Sequence, residues 1–148
     1  MDILVKVSGS LIEDERFYHW LLTIFNLADN LFILCGGGDS ITEALKSEKI
    51  PYEFGPQGRE IHSLRGKYLA KQALKEEEVF VRNKLQEKGI SARIFLPMRD
   101  IGDKICHING DIYAIALYPN FDKVYIVTLK GRKKSFPEYL NKIEIVYL

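Results

Sequence analysis

The prediction of the fold starts from the stretch ILVKVSGS, residues 3–10. This stretch is apolar apart from one lysine until it reaches a serine and a glycine, so it predicts a buried β-strand that ends in a tight turn. The stretch LFILCGGGDS, residues 31–40, repeats this design. A glycine turn that leads into a helix presents backbone N–H groups and the positive end of the helix dipole to an anion. If both strands belong to one sheet, the two turns form a single phosphate site.

The segment between these strands predicts that they run parallel. Residues 14–27 carry apolar side chains at helical spacing, which predicts a helix with one buried face. The apolar positions are Phe17, Trp20, Leu21, Ile24 and Phe25. A strand, a helix and a strand within about 35 residues form a βαβ unit, and the strands of such a unit are parallel.

The rest of the chain continues this alternation. Residues 59–88 predict a long helix, in which KEEE at 75–78 marks either a solvated face or a break between two helices. Residues 98–109 predict a small hairpin or excursion. Further strands are predicted at residues 92–96, 121–129 and 142–148. We therefore expect one α/β domain over residues 1–148, a three-layer αβα sandwich with a mostly parallel sheet.

Composition narrows the classes of partner. The 148 residues include 21 Lys and Arg and 20 Asp and Glu, a net charge of +1 that favours neither nucleic acid nor a membrane surface. No segment reaches the roughly 18 apolar residues that span a bilayer. We expect a cytoplasmic protein whose partner is a small molecule. Of the two cysteines, Cys35 and Cys106, the first is interpreted as a small buried residue, and His19, His62 and His107 form no metal-binding motif.

Lys6 and the glycine triplet are the first candidate site residues. A lysine inside an apolar strand is costly to bury without an anionic partner. Lys6 therefore either neutralises a bound phosphate or pairs with a carboxylate such as Asp111 for structure alone. Gly36, Gly37 and Gly38 leave two interpretations equally open: close approach of the backbone to a ligand, or a tight turn from strand to helix.

Further candidates follow the second turn. Asp39 and Ser40 are candidate N-caps of a short helix. Residues 50–58, IPYEFGPQG, predict a loop that is mobile or selects the substrate. Arg59 either pairs with a substrate carboxylate or phosphate, or simply begins the long helix at the surface. The loop KGRKK, residues 130–134, either binds phosphate or is only solvated.

Three stretches together resemble the amino acid kinase superfamily, which includes carbamate, acetylglutamate, aspartate, uridylate and isopentenyl phosphate kinases. They are VKVSGSLI at 5–12, FILCGGGDS at 32–40 and NGDIYAIALYPNFDKVYIVTLKG at 109–131. The resemblance implies an αβα fold whose N-terminal part binds the phosphoryl acceptor and whose C-terminal part binds ATP with Mg²⁺. This chain resembles the N-terminal, acceptor-binding part. The resemblance also implies a homodimer.

The resemblance implies roles for individual residues. Lys6 matches the lysine that contacts the transferring phosphoryl group, and Asp111 matches the acidic residue that orients the catalytic lysines. Phosphoryl transfer needs positioning and charge neutralisation more than covalent catalysis, and these groups supply both. The residues expected to bind phosphate or substrate are Ser8, Gly9, Ser10, Gly36, Gly37, Gly38, Asp39, Arg59 and Asn109. Those expected to bind the nucleotide are Thr128, Lys130 and Gly131.

The chain departs from the family pattern at three points. Ser8 stands where the family has the first of two glycines, and Leu129 stands where it commonly has an aspartate. The chain also stops soon after this strand, whereas family members continue through a further half-domain that holds nucleotide-binding residues and a second catalytic lysine. Lys130, Lys133 or Lys134 would have to replace that lysine.

Two functions are therefore open. The retained Lys6 and Asp111 favour a small-molecule kinase that transfers the γ-phosphoryl group of ATP to a carboxylate or phosphate acceptor. The short C-terminal part favours a catalytically inactive binding or regulatory protein that keeps the acceptor half of the fold. An unrelated nucleotide-binding domain is less favoured, because the sequence has neither G-x-G-x-x-G nor G-x-x-x-x-G-K-[ST].

Overall fold

The fold is a sheet covered by helices, seen in a computed structural model that describes residues 1–56, 58–101 and 104–148, with side chains described outside residues 100–106. The strands are β1 (Asp2–Val7), β2 (Asn30–Cys35), β3 (Glu53–Gly55), β4 (Gly58–Glu60), β5 (Arg93–Phe95), β6 (Met98–Ile101), β7 (Lys104–His107), β8 (Lys123–Thr128) and β9 (Ile143–Tyr147). The helices are α1 (Glu15–Phe25), α2 (Gly38–Ser47), α3 (Leu64–Glu87) and α4 (Gly110–Leu117), with 3₁₀ turns at Gly9–Leu11 and Tyr118–Asn120.

Five parallel strands form the central sheet, in the order β5-β2-β1-β8-β9. β1 lies in the middle, so Val7 is opposite Cys35 of β2 on one side and Val127 of β8 on the other. The chain builds one half of the sheet outward from β1 and then returns to build the other half. In sheets of this kind, ligands bind beyond the carboxyl ends of the strands, where the winding direction reverses. Here that point lies between β1 and β8.

Helices cover both faces of this sheet. Ile3 and Val7 are fully buried on the face that packs against α1 and the C-terminal half of α3. Leu4 points to the opposite face, where it packs in one cluster with Ala114 of α4. Because side chains alternate along a strand, Lys6 lies on the same face as Leu4 and extends toward α4. The predicted three-layer αβα sandwich with a mostly parallel sheet is confirmed.

Several predicted elements are present. The helix predicted over 14–27 forms α1, which begins after Asp14, whose Oδ1 accepts a hydrogen bond from the backbone N–H of Arg16 at 2.9 Å. The excursion predicted over 98–109 is an antiparallel hairpin of β6 and β7. The last predicted strand, over 142–148, is β9 at one edge of the central sheet.

The segment before α3 differs from the prediction. Residues 50–58 were expected to form a loop, but β3 and β4 pair as an antiparallel hairpin. The long helix does not begin at Arg59; it begins at Leu64, after Ser63, whose Oγ accepts a hydrogen bond from the N–H of Gly66 at 3.0 Å. The two glycines that contributed to the loop prediction, Gly55 and Gly58, pair with each other at the ends of β3 and β4, and Arg59 lies in β4.

Two details of the helices also correct the sequence analysis. α3 continues without a break through residues 75–78, and Glu77 is only 9% exposed, so the predicted solvated face is wrong for this residue. Neither Asp39 nor Ser40 caps α2, because the N-cap position is Gly37 and both residues lie inside the helix.

The cysteine prediction is confirmed for Cys35. Its side chain is fully buried, and burial raises the pKa of the thiol, so it behaves as a small core residue. The side chain of Cys106 lies outside the described part of the structure. In the described residues, none of the helices combines the length and apolar character that crossing a membrane requires.

Candidate functional site

The two glycine turns lie side by side at the carboxyl edge of the sheet. The N–H of Gly36 donates to the carbonyl oxygen of Val7 at 2.8 Å. A Cβ placed on Gly9 would lie only 2.6 Å from the carbonyl oxygen of Gly36. A side chain at Gly9 would therefore push the turns apart. The predicted adjacency of the two turns is confirmed.

Two helix N-termini meet at these turns. α2 begins at Gly38 and α4 at Gly110, and both residues line the same cavity. Asn109 caps α4 by accepting hydrogen bonds from the N–H groups of Asp111 at 3.0 Å and Ile112 at 3.2 Å. Within the described residues no side chain caps α2, so its first N–H groups are available to a ligand. The dipoles of both helices favour an anion here.

Lys6 and Lys134 both pair with Asp111. The Nζ of Lys6 lies 3.0 Å from Oδ1, and Lys134 forms an ion pair with Oδ2. Burial lowers the pKa of Lys6, which is 7% exposed, while Asp111 acts in the opposite direction. Burial alone would raise the pKa of Asp111, but the two lysines hold it below its ordinary value. Asp111 therefore fixes two ammonium groups near the turns.

Arg132 connects the loop after β8 to the first turn. Its Nη1 donates to the hydroxyl of Ser8 at 2.9 Å and its Nη2 to that of Ser10 at 3.1 Å. Two side chains of the basic loop thus make contacts at the site: Arg132 bonds to the first turn and Lys134 pairs with Asp111, whereas Lys133 is exposed. Arg132 was not among the residues of this loop that the sequence predicted to bind a ligand.

Arg59 enters the site from the hairpin. Its Nη2 donates to the carbonyl oxygen of Gly38 at 3.1 Å and to Thr42 Oγ1 at 2.8 Å. Its guanidinium carbon lies 4.5 Å from the ring centre of Tyr52 and 5.1 Å from that of Phe54. Arg59 is 8% exposed, and its Nε and Nη1 have no partner among the described residues. A buried guanidinium thus offers two donor atoms to a ligand.

A cavity of about 170 Å³ lies among these groups, lined by Lys6, Arg59, Arg132 and the glycine backbones. Burial, and then the charge of Arg59, lowers the pKa of His107 in the cavity wall to about 4, so this imidazole is neutral at pH 7. Asp39 is the one carboxylate among the described lining residues. Pockets for larger ligands enclose roughly 300–1,000 Å³. This cavity therefore suits a phosphate group or a small acid, not a whole nucleotide.

Glu77, which the sequence analysis did not select, lies beneath the turns. Its Oε1 accepts a hydrogen bond from Ser40 Oγ at 2.7 Å, and its Oε2 has no partner among the described atoms. Burial raises the pKa of Glu77 to about 7. The signal was present in the sequence: Leu74, Glu77, Val81 and Leu85 share one buried helical face, which the charged run KEEE concealed.

The structure brings most of the predicted phosphate- and substrate-binding residues to one place. With Lys6, the cavity is lined by Ser8, Gly9, Gly36, Gly37, Gly38, Asp39, Arg59 and Asn109. Ser10 lies next to it, in contact with Arg132. The residues predicted to bind the nucleotide do not line this cavity: Thr128 is fully buried at the end of β8, and Lys130 and Gly131 are exposed in the following loop.

The cavity offers fewer suitable groups to a metal ion than it offers to an anion. Mg²⁺, which the family resemblance implies, prefers carboxylate and other hard oxygen ligands. In the described cavity wall only Asp39 supplies a carboxylate. Elsewhere, Glu53, Glu60 and His62 place ligand atoms within 4.8 Å of one another, but all three are exposed and lie outside the cavity.

Comparisons with known proteins bear on the fold alone. Neither the known protein families nor the curated proteins contain a match to this chain. Among solved structures, the crystal structure of smu.665 from Streptococcus mutans UA159 superposes with a TM-score of 0.72 and 15% identity. The match covers 89% of this chain and 73% of that one. At this level of identity the likeness shows a common α/β fold, and the name of the neighbour states no activity.

Proposed function

We propose that the protein is a small-molecule kinase, which transfers the γ-phosphoryl group of ATP to a carboxylate or phosphate acceptor. In this proposal only the γ-phosphoryl group enters the cavity, and the rest of the nucleotide lies outside it. The observation that carries the proposal is the pairing of Asp111 with both Lys6 and Lys134 beside two adjacent glycine turns. Two fixed ammonium groups neutralise the charge on a transferring phosphoryl group, which is most of what a protein contributes to this reaction.

The remaining groups take separate roles in this proposal. The free N–H groups at the start of α2 bind phosphoryl oxygens. Arg59 binds the anionic group of the acceptor through its two unpartnered donor atoms, because a guanidinium matches the geometry of carboxylates and phosphates. Lys134 fills the role of the second catalytic lysine in preference to Lys130 or Lys133, because it is the one that contacts Asp111.

A second candidate function is a binding or regulatory protein without phosphoryl transfer. The size of the cavity favours it, because about 170 Å³ holds one small anion but not a nucleotide together with an acceptor. In this function the same cationic groups retain phosphate or a phosphomonoester, and Asp111 serves only to position the lysines.

The decisive experiment is phosphorus NMR of the protein with Mg-ATP and a panel of carboxylates and phosphomonoesters. We expect a new phosphoryl resonance with at least one acceptor. Lys6→Met and Lys134→Met should each slow its appearance by roughly 100-fold or more, the usual cost of removing one group that stabilises the transition state. Lys133→Met is the matched control, because Lys133 is exposed in the same loop.

Each result decides between the candidates. Heat of phosphate binding in calorimetry without any phosphoryl transfer would establish the binding protein. Equal losses in the Lys133 and Lys134 variants would remove the role given to Lys134. A folded protein that binds neither phosphate nor nucleotide would contradict both functions.

We also propose that the protein acts as a cytoplasmic homodimer. The support is that three apolar side chains of α3, those of Leu64, Tyr68 and Val79, are each more than half exposed. Exposed apolar side chains favour contact with another protein surface, and a dimer is the commonest assembly of identical chains. Sedimentation velocity at two concentrations checks this, and a monomer mass at both would contradict it.

A further inference from the structure

The carboxyl group of Glu77 lies beside both glycine turns. A Cβ placed on Gly9 would lie 3.6 Å from its Oε1, and one placed on Gly37 would lie 3.3 Å from its Oε2. Glu77 does not line the anion cavity; it lines an open groove of about 590 Å³ between α2 and α3. The backbone of the turns therefore separates this carboxyl group from the cavity.

The groups around Glu77 disfavour its ionised form. Burial is the main cause, because it raises the pKa of this carboxyl group. The hydrogen bond that Ser40 of α2 donates to Oε1 acts in the opposite direction, and Oε2 accepts none from the described residues. Asp39 of α2 adds negative charge, and the thiol of Cys35 at the end of β2 is near enough for its pKa to be raised by Glu77. Three further charged side chains line the groove, all carboxylates: Glu13, Glu43 and Glu76. A buried acid in these surroundings is stable mainly in its neutral form.

We propose that Glu77 is a positioning residue of the anion site: its carboxyl group supports both turns, and the fraction of it that is ionised takes up a proton when an anion binds in the cavity. The inference rests on the anion site of the proposed function. A negative charge in the cavity repels a negative charge beneath the turns, so the anion and the proton favour each other's binding. The open groove gives the proton a route from solvent.

The size of the effect follows from linkage. The pKa of Glu77 is about 7 without a ligand, so the residue is near half-ionised at neutral pH. If a bound anion raises this pKa by about one unit, the affinity falls about five-fold between pH 6 and pH 8, with uptake of about 0.4 proton per anion at pH 7. Without a ligand, His107 is neutral in this range, because its pKa is about 4.

Calorimetric titration with sulfate tests the inference, because sulfate keeps its two charges throughout this pH range. Titrations in two buffers with different ionisation enthalpies give the number of protons taken up. For the parent protein we expect the affinity for sulfate to fall about five-fold between pH 6 and pH 8, with uptake of about 0.4 proton per anion at pH 7. Glu77→Gln keeps the shape and the hydrogen bond to Ser40 but cannot titrate, so its affinity should not change with pH and its proton uptake should vanish.

A second variant guards against a folding defect in the first. Ser40→Ala removes the hydrogen bond that lowers the pKa of Glu77, so it should move the loss of affinity to higher pH. The inference is overturned if parent and Glu77→Gln show the same pH dependence, or if Ser40→Ala leaves that dependence in place. A parent protein that does not bind sulfate at all would instead remove the anion site, and the proposed function with it.

Discussion

Gly9 shows at the scale of one residue how the site depends on a missing side chain. A methyl group there would meet the carbonyl oxygen of Gly36 at 2.6 Å, and a backbone oxygen cannot move aside as a side chain can. We expect Gly9→Ala to lower the free energy of unfolding by about 1–3 kcal/mol, the range for overpacking, and to weaken phosphate binding. Urea denaturation and calorimetry measure the two effects.

Gly38 provides the matched control for this substitution. A Cβ at Gly38 would meet nothing within 4 Å, and the residue begins α2, where alanine is at least as favourable as glycine. Gly38→Ala should leave stability within about 1 kcal/mol of the parent. If Gly9→Ala and Gly38→Ala lowered the free energy of unfolding by similar amounts, the close contact of the turns at Gly9 would be contradicted.

Arg59 anchors the β3–β4 hairpin to α2. Each strand has only three residues, and an isolated two-stranded hairpin of this size is marginally stable. Arg59→Ala removes the hydrogen bonds to Gly38 and Thr42 and the stacking on Tyr52. We expect amide hydrogen exchange in the hairpin to become roughly 10- to 100-fold faster, from charged hydrogen bonds worth about 1.5–3 kcal/mol.

Arg65→Ala is the control for the Arg59→Ala exchange experiment. Arg65 pairs with Glu48 on the surface and is 67% exposed, so its loss should leave exchange in the hairpin unchanged. If the hairpin exchanges equally fast in the parent and in Arg59→Ala, Arg59 does not anchor it.

The elements also show which parts of the structure a sequence can predict. Continuous apolar runs predicted β1 and β2, because a parallel strand that is buried on both faces of the sheet has apolar side chains at nearly every position. The hairpin was missed because each of its strands has only three residues, and the glycines and prolines of residues 50–58 outweigh the short alternation of Ile50, Tyr52 and Phe54. Its place depends on the contacts of Arg59 with α2. The burial of Glu77 was missed for a different reason, because the charged residues on either side of it hide the apolar helical face that it shares with Leu74, Val81 and Leu85.

His107 and Glu77 contribute to the stability of the whole fold with opposite dependences on pH. Burial lowers the pKa of His107 to about 4, so its contribution is present above about 6.5 and lost as the pH falls through 4. Burial raises the pKa of Glu77 to about 7, so its contribution is present below about 4.5 and lost as the pH rises through 7. The two contributions largely cancel between pH 5 and pH 7.5.

Single variants should uncover the two contributions. Relative to the parent, Glu77→Gln should lose about 2 kcal/mol of unfolding free energy between pH 7.5 and pH 5, because only His107 then titrates. His107→Gln should lose a similar amount of unfolding free energy as the pH rises from 5 to 7.5, because only Glu77 then titrates. Urea denaturation at the two pH values measures both. Parallel pH profiles for the parent and both variants would show that neither group is perturbed in the folded protein.

The whole-molecule arrangement was more predictable than the site. A parallel sheet brings the carboxyl ends of its strands to one edge, so the adjacency of the turns after Val7 and Cys35 followed from their strands alone. The contact of Lys134 with Asp111 did not follow, because three lysines in one loop are equivalent in sequence. Only the path of the chain after β8 selects one of them.

The central position of β1 has a consequence during synthesis. Ile3 lies opposite Lys123, so 120 residues of chain must be made between the two partners of this pairing. At ribosomal rates of about 5–20 residues per second, β1 waits roughly 6–24 seconds with one edge unpaired. An apolar strand with a free edge is a site for pairing between chains. The nascent protein is therefore most exposed to aggregation just before β8 emerges, and a chaperone that shields β1 over those seconds would increase the yield of folded protein.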